Sequence, residues 1–227
     1  MSAFIIKMIA ITAMVIDHIG FFLVPQEMLF RAVGRLAFPL FAWLVANGAK
    51  HTKNIDAYLT RLFVFALLSQ IPYTLAHRSI GIQTCQLNVF FTLFLGLLSI
   101  KFIMAKKNRI LTALVVLLCG ATAQYIESDY GLMGILSIVF FYMFFDDFKM
   151  LMLAQIAVYI GVLYSLIALK LYDLNILTLI QPLALFSLFF VYNYNKKPGP
   201  KAKYLFYVFY PLQFLVFYLI VRYISGN

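Results

Sequence analysis

The ionisable residues near the start of the chain are the first candidates for chemistry, because they interrupt an apolar run of membrane-spanning length. The run at 3–24 contains Lys7, Asp17 and His18. A charge inside such a segment costs about 2.5–3.5 kcal/mol on insertion scales, so the charged residues found there are candidates for function. An imidazole exchanges protons near neutral pH, an ammonium binds phosphate and a carboxylate pairs with a cation. Together they indicate a site with acid–base and anion-binding groups.

Helical spacing places Lys7 and His18 on one face of this run. The two residues are 11 positions apart, which brings their side chains to within about 20° of each other and separates them by about 16 Å along the axis. This face predicts one groove for a long, partly anionic molecule, with its phosphate end at Lys7 and its reactive end at His18. The alternatives are a Lys7 that reaches the lipid headgroups and a His18 that only packs.

Asp17 is expected to pair with the second apolar run. Its side chain points about 100° away from that of His18. Arg31 and Arg35 are four residues apart and share a helical face, and a hairpin of the first two runs would bring this face beside Asp17. Pairing reduces the cost of a buried charge. A structural bridge from Asp17 to Arg35 and a role of these residues in the site are both consistent with this pattern.

Basic residues form a second candidate site around the start of the third run. Lys50 and Lys53 precede it, and Arg61 lies about one turn inside it. These cations would form a collar that suits a polyphosphate. The alternative is that they mark membrane topology and that Arg61 reaches the membrane surface.

Polar residues also interrupt two later runs. Asn88, Thr92 and Gly96 follow one another at helical spacing, so they either pack helices together through small residues and hydrogen bonds or line the same cavity. Asp129 and Tyr130 open the sixth run, where Asp129 is predicted to be the N-cap.

Composition identifies the class of protein that must position these residues. Of the 227 residues, 64% are apolar and 11% are charged, whereas soluble domains are typically about half apolar and a quarter charged. This excludes a soluble domain and a disordered chain. The net charge of +10 lies mostly between the apolar runs, which indicates membrane topology rather than a nucleic-acid partner. The two cysteines have no metal-binding spacing, so no metal site is predicted.

Nine apolar runs predict an all-α, polytopic transmembrane helix bundle, and eight to ten spans are compatible with the pattern. The loops are short, so residues 1–227 are predicted to form a single domain. The sixth and seventh runs could instead form a re-entrant hairpin. The runs lie near 3–24, 31–49, 55–76, 84–104, 110–126, 131–146, 149–169, 174–194 and 204–224.

The charges of the loops predict a cytoplasmic N-terminus. The loops after the even-numbered runs carry ten basic residues and the opposite side carries four, and positive loops are retained in the cytoplasm. The ten are Lys50, Lys53, Lys106, Lys107, Arg109, Lys149, Lys196, Lys197, Lys201 and Lys203, and the four are Arg31, Arg78, Lys170 and Arg222.

The chain resembles the TraX family of bacterial membrane proteins over nearly its whole length. The resemblance rests on KMIAITAMVIDHIG at 7–20, RAVGRLAFPLFAWLVANGAKHTKN at 31–54, YLTRLFVFALLSQIPY at 58–73, LNVFFTLFLG at 87–96, DYGLMGIL at 129–136 and FYPLQ at 209–213. The family is named for a protein needed to acetylate F-type pilin, so the resemblance implies an acetyltransferase of the bacterial inner membrane that uses acetyl-coenzyme A. Gln213 replaces the histidine of the family's FYPLH motif, which argues against a catalytic role for this position.

A looser similarity is to the acyltransferase-3 family and the lysosomal heparan acetyltransferases. The acyltransferase-3 family has a basic residue, ten intervening residues and a histidine in its first span, and Lys7 and His18 reproduce this spacing. In an acyl transfer of this kind, Lys7, Arg61, Lys50 and Lys53 would bind the phosphates of acetyl-coenzyme A, with Arg31 as a further residue that binds the donor.

The expected reaction is acyl transfer to an amine or hydroxyl at the outer face or within the membrane. His18 would be the general base, and Asp17 would hold one of the two arginines of the second run. Arg35, Asn88 or Tyr130 could stabilise the oxyanion. The acceptor could be a protein N-terminus, a glycan or a lipid, and the oligomeric state is open. A transporter or flippase for an anionic lipid or solute is the competing class.

Overall fold

The computed structural model describes residues 1–83, 85–105, 108–171, 173–200 and 204–226. Within these ranges the chain forms nine helices, and its β-structure is limited to an isolated bridge between Leu87 and Ser128. The predicted all-α helix bundle is therefore confirmed. Four of the lysines used to predict the orientation, Lys106, Lys107, Lys201 and Lys203, lie outside the described residues, and the orientation itself stays a prediction.

The helices agree with the nine apolar runs, and no end differs by more than five residues. They are α1 Ala3–Phe22, α2 Met28–His51, α3 Ile55–Ser79, α4 Val89–Met104, α5 Arg109–Tyr125, α6 Gly131–Met143, α7 Phe148–Ala168, α8 Ile176–Tyr192 and α9 Leu205–Ile224. Of those in the described ranges, α1, α2, α3, α7 and α9 are long and apolar enough to cross a membrane. The other four are shorter apolar helices.

Exposed apolar side chains cover the outer faces of several helices. This surface suits contact with lipid, since a soluble protein would expose a large apolar patch to water. The chain is therefore a multi-pass membrane protein. The most exposed members of this surface include Leu68 and Ile71 of α3, Leu117 and Leu118 of α5, Leu153 of α7 and Leu212 of α9.

Prolines interrupt α2 and α8 where both helices approach the site. The regular part of α2 stops at Gly34 and resumes at Ala37. Pro39 explains this break, because its ring would collide with the carbonyl of Arg35 in a continuous helix. In α8, Pro182 follows Gln181 at the start of a short 3-10 stretch. Both breaks lie beside a polar residue, Arg35 in α2 and Gln181 in α8.

Glycines allow α1 and α2 to pack closely at the end that carries His18. A Cβ atom at Gly34 would collide with the side chain of Asp17, and one at Gly20 would lie 2.5 Å from Cβ of Phe30. These close contacts bring the start of α2 against the last turns of α1, as the predicted hairpin requires.

Candidate functional site

A cavity with a volume of about 1110 Å³ opens at the end of the bundle that carries His18. It is lined by the ends of α1, α3, α5 and α7 and by the beginnings of α2, α6 and α8, so successive helices run in opposite directions here. Tyr210 and Phe214 of α9 also line it. We call this space the His18 cavity. Its ionisable side chains include Asp17, His18, Arg31, Arg35, His77, Glu127, Asp129, Lys170 and Asp173.

Asp17 forms ion pairs with both arginines of α2. Its Oδ2 lies 2.6 Å from Nη1 of Arg31, and its Oδ1 lies 3.1 Å from Nη2 of Arg35. Nη1 of Arg31 also donates to the carbonyl oxygen of Asp17 at 3.1 Å. The three side chains are 11–17% exposed, so water screens these charges only weakly. The predicted pairing of Asp17 with α2 is confirmed and includes Arg31 as well.

Arg35 connects this ion cluster to α8. Its Nε donates to the carbonyl oxygen of Arg31 at 3.1 Å, and its Nη1 donates to Oε1 of Gln181 at 2.8 Å. Gln181 is 146 positions away in sequence, and the sequence analysis missed it. The available signal was an amide side chain, followed by a proline, near the middle of a largely apolar run.

His18 lies against an aromatic wall of the cavity. Its ring centroid is 4.7 Å from that of Phe214 and about 6 Å from those of Phe22 and Phe217. Its Nδ1 is buried, as is Oε1 of the neighbouring Gln213, and the Gln213 side chain is the described group that can hydrogen-bond the imidazole. His18 therefore lines the cavity beside a polar side chain of α9, Gln213.

His77 is a second imidazole in the cavity, and the sequence analysis also missed it. Its Nδ1 lies 2.8 Å from the carbonyl oxygen of Tyr73. A carbonyl oxygen only accepts hydrogen bonds, so Nδ1 carries the hydrogen and Nε2 of the neutral ring is an acceptor. The signal in the sequence was a histidine within the last apolar turns of α3.

The loop that carries Asp129 and Tyr130 has an unusual backbone. Glu127, Tyr130 and Gly131 have positive φ angles of 49°, 66° and 41°, and non-glycine residues adopt this region only when their surroundings impose it. The Asp129 backbone is held by its N–H, which donates to the carbonyl oxygen of Leu87 at 3.0 Å. The Tyr130 ring stacks on Phe38. This loop therefore presents both side chains to the cavity from a constrained backbone.

The prediction that Asp129 caps α6 is wrong. Tyr130 is the N-cap, without a side-chain cap hydrogen bond, because the left-handed turn at Tyr130 separates Asp129 from the first helical N–H groups. The Asp129 carboxylate makes no hydrogen bond or ion pair with the part of the chain that the structure describes. It faces the His18 cavity instead.

Replacement of Asp129 by asparagine is expected to change how stability depends on pH. Burial, together with the negative charge of Asp17, raises the pKa of the Asp129 carboxyl from 3.8 to about 7. Between these two values the folded protein holds a proton that the unfolded chain releases, so stability falls as the pH rises. The Asp129→Asn variant should therefore have a higher Tm than the wild type at pH 8 and a smaller difference at pH 5, measured in detergent.

The matched control for this experiment is Asp173→Asn, which removes an exposed carboxylate from the same cavity. It should change Tm similarly at both pH values. An equal change of Tm at pH 5 and pH 8 for Asp129→Asn would contradict the assignment of the pH dependence to this carboxyl.

Asn88 is a structural residue. Its Nδ2 donates to the carbonyl oxygen of Ala66 and to Oε1 of Gln70, each at 2.8 Å, and its Oδ1 accepts from the N–H of Phe90 at 3.1 Å. It is fully buried and is not among the described residues that line the cavity. The predicted role of Asn88 in stabilising an oxyanion is therefore wrong, because its side chain has no donor left.

The interpretation that Thr92 and Gly96, on the same helical face as Asn88, pack helices together is confirmed. The Thr92 hydroxyl donates to the carbonyl oxygen of Asp129 and forms a second hydrogen bond with Ser128 Oγ, and Gly96 contacts Ile138 of α6. The face thus attaches α4 to α6 and to the loop before α6.

The predicted groove from Lys7 to His18 is wrong as one continuous space. Met14 lines the His18 cavity, but Lys7 is not among the described residues that do. Between Lys7 and His18, the side chains of Ile11 and Met14 are 5% and 6% exposed and pack in the core. The shared helical face exists, but tightly packed side chains fill its middle.

The basic collar lies at the other end of the bundle. The Lys50 ammonium lies 4.6 Å from the Tyr142 ring centroid, and the Arg61 guanidinium carbon lies 5.5 Å from that of Tyr58. Nε of Arg61 is buried and has no partner in the described ranges, whereas Lys53 is exposed. Like Lys7, these three cations are absent from the described lining of the His18 cavity.

The protein is thus a polytopic membrane helix bundle that holds a buried ion cluster in an open cavity. Residues 2–221 match the family described as "TraX protein". The chain belongs to the TraX family, and the resemblance found in its sequence is confirmed.

Similar proteins come from several bacteria. "Probable fimbrial assembly protein FimC, serogroup H1" of Dichelobacter nodosus is 28% identical over 93% of this chain and 92% of its own length. "Protein TraX" of Escherichia coli is 30% identical over 61% of this chain and 54% of its own length. "Uncharacterized protein RP591" of Rickettsia prowazekii is 29% identical over 40% of this chain and 34% of its own length. No solved structure matches the chain.

Proposed function

We propose that this protein is an acyltransferase that moves an acetyl group from acetyl-coenzyme A to an amine or hydroxyl acceptor in the His18 cavity. The observation that carries the proposal is His18 in an open cavity, one residue from a carboxylate that holds two arginines. Membership of the TraX family and the name of the fimbrial assembly relative support a role linked to pili.

In this proposal His18 is the general base. The acceptor nitrogen or oxygen attacks the thioester carbonyl carbon while His18 takes the acceptor's proton. The C–S bond then breaks, and coenzyme A leaves as a thiolate that takes the proton from His18, which returns to its base form. The positive charges of Arg31 and Arg35 favour the negative charge that develops on the carbonyl oxygen.

The donor would bind from the end of the bundle that carries Lys7, Lys50, Lys53 and Arg61. These cations suit the phosphates of coenzyme A, and about 16 Å along α1 separates Lys7 from His18. Because Ile11 and Met14 are packed in the core, the acyl arm reaches His18 only after this packing opens. We therefore infer a conformational step before chemistry.

The location in this proposal is the inner membrane of a bacterium, with the donor in the cytoplasm and the His18 cavity toward the outer face. This follows from the charges of the loops. The acceptor is a protein N-terminus, a glycan or a membrane lipid, and the printed names of the relatives favour a pilus component.

Coenzyme A is expected to raise the Tm of the purified protein. A ligand that binds only the folded state stabilises it by about 2.7 kcal/mol at 100 times its Kd. Pantetheine, which lacks the nucleotide phosphates, should raise Tm less. In proteoliposomes, acetyl-coenzyme A should release free thiol when a mixture of candidate acceptors is added. The absence of both a Tm shift at millimolar coenzyme A and thiol release would contradict the proposal and favour a transporter or flippase.

A further inference from the structure

The side-chain amide of Gln181 has a buried donor without an acceptor in the part of the chain that the structure describes. Gln181 lines the His18 cavity and is 5% exposed. Its Nε2 has no hydrogen-bond partner among the residues that the structure describes. A buried donor left unsatisfied is unfavourable because it has given up its hydrogen bond to water. A donor of this kind in the wall of an open cavity points to an acceptor atom on a ligand.

Arg35 determines which end of this amide is free. Its Nη1 lies 2.8 Å from Oε1 of Gln181, and a guanidinium has only donors. A rotated amide would place two donors against each other, so Oε1 stays at Arg35 and Nε2 is the free end. Asp17 holds Arg35 in turn, through the ion pair of 3.1 Å. The orientation of the amide is thus set by a chain of three side chains.

The contact with Arg35 also strengthens the free donor. A hydrogen bond from a cation to Oε1 withdraws electron density from the amide, and neighbouring hydrogen bonds in a low dielectric polarise one another. Nε2 of Gln181 therefore donates more strongly than the amide of an unpaired glutamine.

We infer that Gln181 donates from Nε2 to the carbonyl oxygen of the acyl group, a catalytic role that rests on the proposed acyl transfer. As the acceptor atom bonds to the carbonyl carbon, the C=O π electrons move onto this oxygen, and Nε2 stabilises the resulting charge. When the carbonyl re-forms, the C–S bond breaks and the thiolate leaves. The acceptor's proton goes to His18, and Gln181 keeps both of its amide hydrogens throughout.

The test is the Gln181→Glu variant, compared with the wild type in acetyl-coenzyme A-dependent acyl transfer. Glutamate keeps an oxygen for Nη1 of Arg35, so the connection to α2 is retained, but it replaces the donor by an oxygen that repels the oxyanion. Because the lost interaction exists mainly in the transition state, kcat should fall by about 10²–10³-fold, whereas KM for acetyl-coenzyme A should stay within about threefold. Gln181→Met, which removes the donor without adding charge, should also lower kcat.

The control is Gln124→Glu, which adds the same charge to the wall of the same cavity. Oε1 of Gln124 accepts from the N–H of Leu132 at 3.3 Å, and a glutamate retains this acceptor. If Gln181 acts through its donor, Gln124→Glu should keep kcat within about threefold of the wild type. Thermal unfolding of each variant establishes that it is folded.

Four results would overturn the assignment of Gln181. They are a kcat of Gln181→Glu close to that of the wild type, an equal loss in Gln124→Glu, a rise in KM with unchanged kcat, and a folded Gln181→Met variant with full activity. A wild-type protein without acyl transfer would overturn the proposed function and this assignment with it. An active wild type with an unaffected Gln181→Glu variant would overturn this assignment alone.

Discussion

The His18→Ala variant is expected to lower acetyl-coenzyme A-dependent thiol release by about 10²–10⁴-fold, which is the usual contribution of a general base. The imidazole is the group that takes the acceptor's proton in the proposed reaction, and alanine cannot replace it. The measurement is thiol release in proteoliposomes that contain equal amounts of wild type and variant. Because alanine also removes the ring contacts of His18 with Phe214, Tm of the variant is measured in parallel to establish that it is folded.

Replacement of the second cavity histidine, His77, tests whether the loss of activity is specific to His18. His77→Asn removes the second histidine, whose Nε2 is an acceptor when the ring is neutral, and should have a smaller effect than His18→Ala. The reverse order, with His77→Asn inactive and His18→Ala active, would move the base to His77. Undiminished thiol release in His18→Ala would remove His18 from the mechanism.

Removal of the Asp17 carboxylate is expected to destabilise the folded protein by about 3–5 kcal/mol, the cost of leaving a buried charge without its partner. Asp17→Ala would leave the guanidinium groups of Arg31 and Arg35 close together, with side chains only 13% and 11% exposed. It would also remove the carboxylate that packs against Gly34. The change is measured as the shift of the unfolding transition in detergent.

An exposed ion pair provides the comparison. Asp56 pairs with Lys101 at the other end of the bundle, with side chains 70% and 42% exposed, and such a pair contributes about 0–1 kcal/mol. Asp56→Ala should therefore shift the transition far less than Asp17→Ala. Equal shifts for the two variants would show that burial of the Asp17 cluster adds no stability.

The fold was largely predictable because it depends on local properties of the sequence. The length of each apolar run reports the length of a helix that lipid or the core can cover, and no observed helix end departs from its run by more than five residues. The pairing of Asp17 with α2 was also predictable, since a short turn leaves Arg31 and Arg35 few other places to lie.

The errors arose where contacts between distant segments decide the outcome. The spacing of Lys7 and His18 gives a shared face, but whether that face borders a groove depends on what packs against Ile11 and Met14. Asn88 looked available because its partners, Ala66 and Gln70, belong to another helix.

The sequence by itself determined a membrane-embedded all-α bundle, its family, and a first helix with an acid and a histidine. These follow from composition, run length and motifs, which are properties of neighbouring residues. Only the tertiary structure decided that Gln181 meets Arg35, that His77 shares a cavity with His18, and that the Asp129 carboxyl is unpaired within the described ranges. Each of these depends on helices far apart in the chain, whose packing in three dimensions sets the distances and burial on which the chemistry depends.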